Sequence, residues 1–122
     1  MDRVSRMLEA ARYIRRQSTL PIKVGAVLVR GSRIIKAACN DEGKPPRFVG
    51  SWTRHAEVRA TLNVNSEDAT VYVYREHAQL HSPLLAKPCN HCVEWLTWLG
   101  VKEVIYSTPE YPHYATLDLS IP

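Results

Sequence analysis

Cysteine is scarce in this chain, with three residues in 122, at positions 39, 89 and 92. Two of them share one C-x-x-C that suits a metal, which argues against a disulfide framework and for a reducing compartment. Long apolar runs are missing too. No stretch approaches the roughly 20 residues that a membrane-spanning helix needs, and the charged, amphipathic first segment is unlike a secretory signal. The chain is therefore expected in the cytoplasm, without a membrane partner. Low-complexity tracts and internal repeats are also lacking, which removes linkers and solenoids. The length of 122 residues suits one packed domain, 1–122, and is too short for two.

Acid is in mild deficit. Sixteen Lys and Arg against twelve Asp and Glu leave a formal charge of +4. Arg3, Arg6, Arg12, Arg15 and Arg16 supply much of the excess, all in the first segment. Val4, Leu8, Ala11 and Ile14 recur there at helical spacing, so the arginines read as the solvated face of one helix. A nucleic-acid footprint requires a clustered patch, which a linear run does not establish.

The periodicities alternate along the chain. An amphipathic helix is expected from about Arg3 to Arg16. Val24–Val29 and Arg33–Ala38 are β-rich runs around Gly31-Ser32, a hairpin. Asn40–Ser51, with Gly43 and Pro45-Pro46, reads as a loop. A second helix follows over Arg54–Leu62, a strand over Thr70–Tyr74 and an irregular loop over Glu76–Lys87. A third helix runs from Pro88 to Leu99 and stops at Gly100, and a strand covers Glu103–Tyr106. The Pro-rich remainder is a short tail or an edge segment. The order α-β-β-α-β-α-β, with a hairpin first and a crossover between the later, parallel strands, predicts an α/β fold: a three-layer α/β/α sandwich around a mixed sheet.

The chemistry is concentrated in two short motifs, His55-Ala56-Glu57 and Pro88-Cys89-Asn90-His91-Cys92. Together they hold three residues able to bind zinc (His55, Cys89, Cys92) and one carboxylate, Glu57. Catalytic zinc takes three protein ligands and leaves its fourth position for water, whose pKa falls to roughly 7 on the metal. A carboxylate near the ion but not bound to it can then move the protons of a hydrolysis. Cys89 and Cys92, at i and i+3, share one helical face. His55 and Glu57, at i and i+2, converge only in the first turn of a helix, with the reaction just beyond its end. Thr53 suits the N-cap of that helix and Pro88 the first position of the next.

Each half of the pattern has an ordinary explanation. C-x-x-C before a helix also serves redox pairs or a closed structural zinc site completed by His91 or another histidine. The His-Ala-Glu half and Pro88 weigh against both. His91 falls between the cysteines and should point elsewhere on its helix. Cys39, in an apolar run, reads as a small buried hydrophobe.

H-x-E followed by P-C-x-x-C is the signature of the zinc deaminases that act on cytosine or adenine, and from the first helix to Ser107 the chain resembles the cytidine and deoxycytidylate deaminase superfamily. The resemblance implies the cytidine deaminase-like fold and a Zn2+ cofactor held by His55, Cys89 and Cys92. It implies that Glu57 is the proton shuttle and that Asn40 holds the sugar. The backbone at Ala56 would contact the pyrimidine carbonyl, Pro88 would lie among the substrate contacts, and Glu42 of Asn40-Asp41-Glu42 would add a sugar hydroxyl contact. Departures are visible. Free-nucleoside cytidine deaminases usually carry cysteine where this chain has His55. A histidine there is shared by deoxycytidylate, tRNA adenosine and polynucleotide cytosine deaminases. The glycine-rich turn and extra metal ligands of many deoxycytidylate deaminases are not found, so their nucleotide regulation is not expected. The layout looks most like small phage or bacterial deaminases.

The function expected is hydrolytic deamination of cytosine to uracil in a free (deoxy)cytidine nucleoside or monophosphate, zinc hydroxide attacking C4 with Glu57 as shuttle, in pyrimidine salvage or dUMP supply. The alternative substrate is a base within single-stranded DNA or RNA, cytosine or a tRNA adenosine, with Trp52, Tyr111 and Tyr114 as stacking aromatics. A third reading, a non-catalytic zinc-stabilised interaction module, is opposed by the intact Glu57. Arg47, Arg54, Lys87 and His113 are candidate phosphate contacts. Val93, Trp95, Leu96, Trp98 and Leu99 wrap around more than one face of their helix, which predicts a homo-oligomer unless the C-terminal segment covers the extra face.

Overall fold

The computed structural model describes residues 2–42 and 55–120. Arg47, Trp52, Thr53 and Arg54 lie outside them. Helix α1 spans Arg3–Ile14 and continues as a 3-10 turn over Arg15–Gln17. Asp2 caps it, its carboxylate accepting the Ser5 amide at 2.8 Å. Strands β1 (Val24–Arg30) and β2 (Arg33–Cys39) form the expected antiparallel hairpin, turning through Gly31 at φ 64°, a conformation open to glycine at no steric cost. Helix α2 is Ala56–Thr61, β3 Thr70–Glu76, β4 Pro83–Leu84, α3 Asn90–Trp98, β5 Glu103–Ser107 and β6 Tyr114–Asp118.

The sheet order is β2-β1-β3-β5-β6, with β4 paired to the end of β3. Among the described strands only β3 and β5 are parallel, and the connection between them carries α3, so the sheet is mixed. Side-chain alternation sorts its two faces. Val27 and Val29, Tyr72 and Tyr74, and Ile105 pack with Met7, Leu8 and Ala11 of α1. The intervening Ala26 and Leu28, Val71 and Val73, and Val104 and Tyr106 pack with α2 and α3 through Val58, Ala60, Trp95 and Leu96. That is the predicted three-layer α/β/α sandwich. Gly25 lets the first layer close, since a Cβ there would stand 1.9 Å from the Ala11 carbonyl oxygen.

Several boundaries move for local reasons. Helix α2 starts at Ala56, because His55 is extended and acts as its N-cap. It stops at Thr61, since Leu62 is extended again and Asn63 has φ 60°. Helix α3 does not start at Pro88. Cys89, extended at φ -69° and ψ 167°, is its N-cap, so Pro88 sits one residue outside the helix. The C-terminal end is as read. Gly100 has φ 83°, and its amide and that of Val101 reach back to the Thr97 and Leu96 carbonyls, a Schellman closure.

Strand β3 runs two residues past Tyr74, because Arg75 and Glu76 pair with Leu84 and Pro83. The tail proves to be an edge: β6 pairs antiparallel with β5, and Ala115 and Leu117 turn toward the core. The arginines of α1 are only partly a solvated face. Arg12 and Arg15 fold onto Glu76, at 2.7 and 2.6 Å, joined by the Tyr74 hydroxyl at 3.0 Å and His81 Nδ1 at 2.6 Å. Burial works against the Glu76 charge, but the His81, Arg12 and Tyr74 hydrogen bonds and Arg15 hold its carboxyl below the usual range.

Candidate metal centre and active site

The first turns of α2 and α3 deliver the two motifs to one place. His55 as N-cap and Glu57 two residues on satisfy the first-turn condition that their spacing imposed. Cys89 as N-cap and Cys92 three residues later place both sulfurs at the start of α3. The two helices are tied behind the site: the Trp95 indole N–H donates to Thr61 Oγ1 at 2.9 Å. The Thr61 hydroxyl lies 2.9 Å from the Glu57 and Val58 carbonyls. Thr61 is 1 % exposed, so this chain fixes the spacing of α2 and α3 where the metal ligands need it.

His55 Nδ1 lies 3.0 Å from Cys92 Sγ and 3.8 Å from Cys89 Sγ, and all three donor atoms fall within 4.8 Å of one another. Zn–N near 2.0 Å and Zn–S near 2.3 Å make the edges of a tetrahedral site about 3.3–3.8 Å long. One nitrogen and two sulfurs gathered this closely would suit zinc in its open, three-ligand form. His91 is exposed and takes no part in the cluster. Cys39 is buried apart from it, its carbonyl accepting from Arg59 at 2.9 Å. Burial, with Glu57 and Cys89 nearby, pushes the Cys92 thiol up. A metal ion supplies the positive charge that a thiolate there requires.

A cavity of about 460 Å³ opens onto this cluster, lined by His55, Ala56, Glu57 and Cys89 on the motif side and by Asn40, Val24, Arg75 and Lys87 among the rest. Glu57 is 5 % exposed. Burial pushes its carboxyl up, opposed by a backbone hydrogen bond and by His55. Asn40 is buried, and its amide straps the cavity wall: Oδ1 accepts the Val24 N–H at 2.9 Å and Nδ2 donates to the Ile22 carbonyl at 2.7 Å. One lone pair and one N–H of that amide are left over. Ala56 is buried against the cavity. Pro88 is buried but does not line it, and Glu42 is exposed and does not line it either. Lys87 is at its rim, whereas His113 lies in the β5–β6 turn, its ring 6.2 Å from that of Tyr111.

The family model described as "Cytidine and deoxycytidylate deaminase zinc-binding region" matches residues 1–108. The chain belongs to this family. Deoxycytidylate deaminase of Schizosaccharomyces pombe is 31 % identical to it over 106 residues, covering 77 % of the chain and 33 % of the yeast protein. The chain thus spans about a third of that relative's length. In fold it is similar to dCMP deaminase from the cyanophage S-TIM5, at 22 % identity and TM-score 0.60 over 86 % of this chain and 82 % of that one. It is also similar to cytidine deaminase from Burkholderia pseudomallei, at 22 % identity and TM-score 0.61 over 94 % and 91 %.

In this member of a zinc-binding deaminase family, His55, Cys89 and Cys92 form the one cluster of three side chains among the described residues that could hold the metal ion. Sequence reasoning missed Arg75 and the segment Leu20–Val24, both part of the cavity. The signal for Arg75 was present in β3. It shares the face of Val71 and Val73 by alternation, but a polar Arg-Glu pair before a histidine resembled the start of a loop.

Proposed function

We propose that this deaminase-family chain hydrolyses the exocyclic amino group from the cytosine ring of a free (deoxy)cytidine nucleoside or monophosphate, releasing ammonia and leaving uracil. The observation that carries this reading is the buried Glu57 carboxylate in the same cavity wall as the metal ligands His55 and Cys89. Zinc, when bound, supplies a water acidic enough to be a nucleophile at neutral pH. Glu57 would take one proton from the attacking water and give it to the ring nitrogen, then carry the remaining hydroxyl proton of the C4 adduct to the amino group, which leaves as ammonia as the C4–N bond breaks and the C4 carbonyl forms. Its dry setting raises its affinity for the proton it must hold between transfers. The Ala56 backbone and the spare N–H of Asn40 orient base and sugar. Pro88, behind Cys89, and exposed Glu42 have no assigned contact in this scheme.

Similarity to a deoxycytidylate deaminase supports a small substrate, and pyrimidine salvage or dUMP supply in the cytoplasm fits it; no helix among the described residues is long and apolar enough to cross a membrane. Single-stranded nucleic acid has less support. Arg3, Arg6 and Arg16 belong to the helix on the sheet face opposite the zinc cluster, and Arg12 and Arg15 are occupied by Glu76. Zinc-loaded protein incubated with cytidine, deoxycytidine, CMP, dCMP and a cytosine-containing single strand is expected to convert at least one free substrate. Conversion of the strand alone, or of nothing, overturns the reading.

A homo-oligomer completes the proposal. Trp95 and Leu96 are buried, but Trp98 on the same helix is 71 % exposed, and β6 turns Ala115 and Leu117 to the core instead of covering it. An exposed indole on an outer helix face suits a second copy of the chain, because tryptophan is enriched at protein–protein interfaces. Light scattering at micromolar concentration should give a multiple of 13.9 kDa; a monomer mass refutes it.

A further inference from the structure

The end of the sheet that faces the zinc cluster carries a row of residues across four chain segments. The Asn40 amide meets Val24, Val24 is paired with Arg75, and Arg75 is paired with Leu84. Neighbouring strands lie about 4.8 Å apart, so Asn40 and Arg75 stand roughly 10 Å apart on the floor of one cavity, a separation that a sugar and its 5′ substituent can bridge.

Arg75 is half-buried, and among the described residues its guanidinium has no carboxylate partner. Neighbouring Glu76 points to the opposite sheet face, where Arg12, Arg15, His81 and Tyr74 take both of its oxygens. Among the described residues Glu57 is the only acid on the cavity wall, and it sits with His55 and Cys89. Arg75 also lines an adjoining cavity of about 550 Å³, together with Lys23, His77 and the Glu76 carboxylate that Arg12 and Arg15 already neutralise. An arginine without a carboxylate partner among the described residues, in a cavity that also has Lys87 at its rim, is arranged for an anion that arrives with the ligand.

We propose that Arg75 is the residue that reads a phosphate on the substrate, so that this chain prefers a pyrimidine nucleoside monophosphate to the bare nucleoside. The inference rests on the deaminase reading above. The base lies at His55, Ala56 and Glu57, the sugar near Asn40, and the phosphate on the Arg75 fork, with Lys87 at the rim as a second, looser cation. The residue arises from the pairing of β3 with β4, because that hairpin keeps β3 extended two residues beyond Tyr74 and so holds Arg75 in the wall.

The test compares wild type, Arg75→Gln and Arg75→Lys, all zinc-loaded and checked for an unchanged Tm, on dCMP and deoxycytidine. Wild type should favour dCMP in kcat/KM. Arg75→Gln should lower the dCMP-to-deoxycytidine ratio about 10- to 100-fold, mainly through KM, as expected for loss of a charge-assisted, two-pronged contact. Arg75→Lys should recover part of it. A ratio unchanged by Arg75→Gln, lysine and glutamine variants that behave alike, or a single strand converted in preference to dCMP each overturns the proposal while deamination itself stands. Calorimetric titration with dUMP and deoxyuridine gives a readout independent of turnover. Tighter binding of dUMP that is lost in Arg75→Gln supports the assignment, and equal affinities in wild type overturn it even if no substrate is converted.

Discussion

Replacing Glu57 with glutamine is expected to lower kcat for deamination by about 10³-fold or more while leaving one zinc ion per chain. Glutamine keeps the shape and the hydrogen-bonding reach of the carboxylate but can neither take a proton from water nor return it to the ring. General acid–base transfer alone is worth about 10²–10⁴-fold, and here one side chain is asked to serve several transfers. Glu57 is 5 % exposed, and its charge is disfavoured there by burial. A neutral amide of the same size therefore costs no stability, and Tm should hold or rise. That separates chemistry from folding. Retention of more than a tenth of the activity removes Glu57 from the proton path, and loss of zinc in the variant makes it a ligand instead of a shuttle.

Removing the metal has the larger expected effect on the protein itself. Cys92 is fully buried, with His55 Nδ1 3.0 Å away, and the thiol is disfavoured as an anion without a cation beside it. Chelation, or Cys92→Ala, should abolish turnover. It should also lower Tm by roughly 10 °C or more, since a ligand present at 1,000 times its Kd contributes about 4 kcal/mol and a domain of this size shifts by several degrees per kcal/mol. Added zinc should restore chelated wild type but not the variant. Cys39→Ala, at a buried cysteine outside the cluster, should keep its metal. Calorimetric scans with and without chelator, alongside metal analysis, decide the matter. An unchanged Tm means the site is assembled by packing alone.

The parts legible in the sequence were those specified over a few residues. The ligand set could be read because Cys89 and Cys92 sit one turn apart and because His55 and Glu57 can meet only at a helix start, which is where they are. The three layers could be read because the element order, a hairpin and then alternating helices and strands, calls for helices on both faces of a mixed sheet. Pro88 misled by one position. Proline commonly opens a helix, but Cys89 takes the extended capping conformation, so the helix begins after it. What stayed hidden depends on distant partners. Asn40 holds the Ile22 carbonyl from 18 residues away, and Arg12 reaches Glu76 across 64. No local pattern announces such pairs. Arg75 and the short β4 were obscured for the same reason: a polar strand end is indistinguishable from a loop until its partner strand is seen. The edge strand β6 is ambiguous in the sequence because proline and tyrosine precede a run with only two core-facing residues.

Strand β3 is a coded ruler with two interleaved tracks. Tyr72, Tyr74 and Glu76 address α1, and Val71, Val73 and Arg75 address the zinc side. Deleting or inserting one residue inside it would transpose the tracks, sending an arginine into the apolar layer under α1 and tyrosines into the cavity. The turn from His77 to Ser82 is largely exposed and closes on itself through the His77–Ser82 backbone bond. Length variation among natural or designed versions of this protein should therefore collect in that turn and spare the seven residues before it.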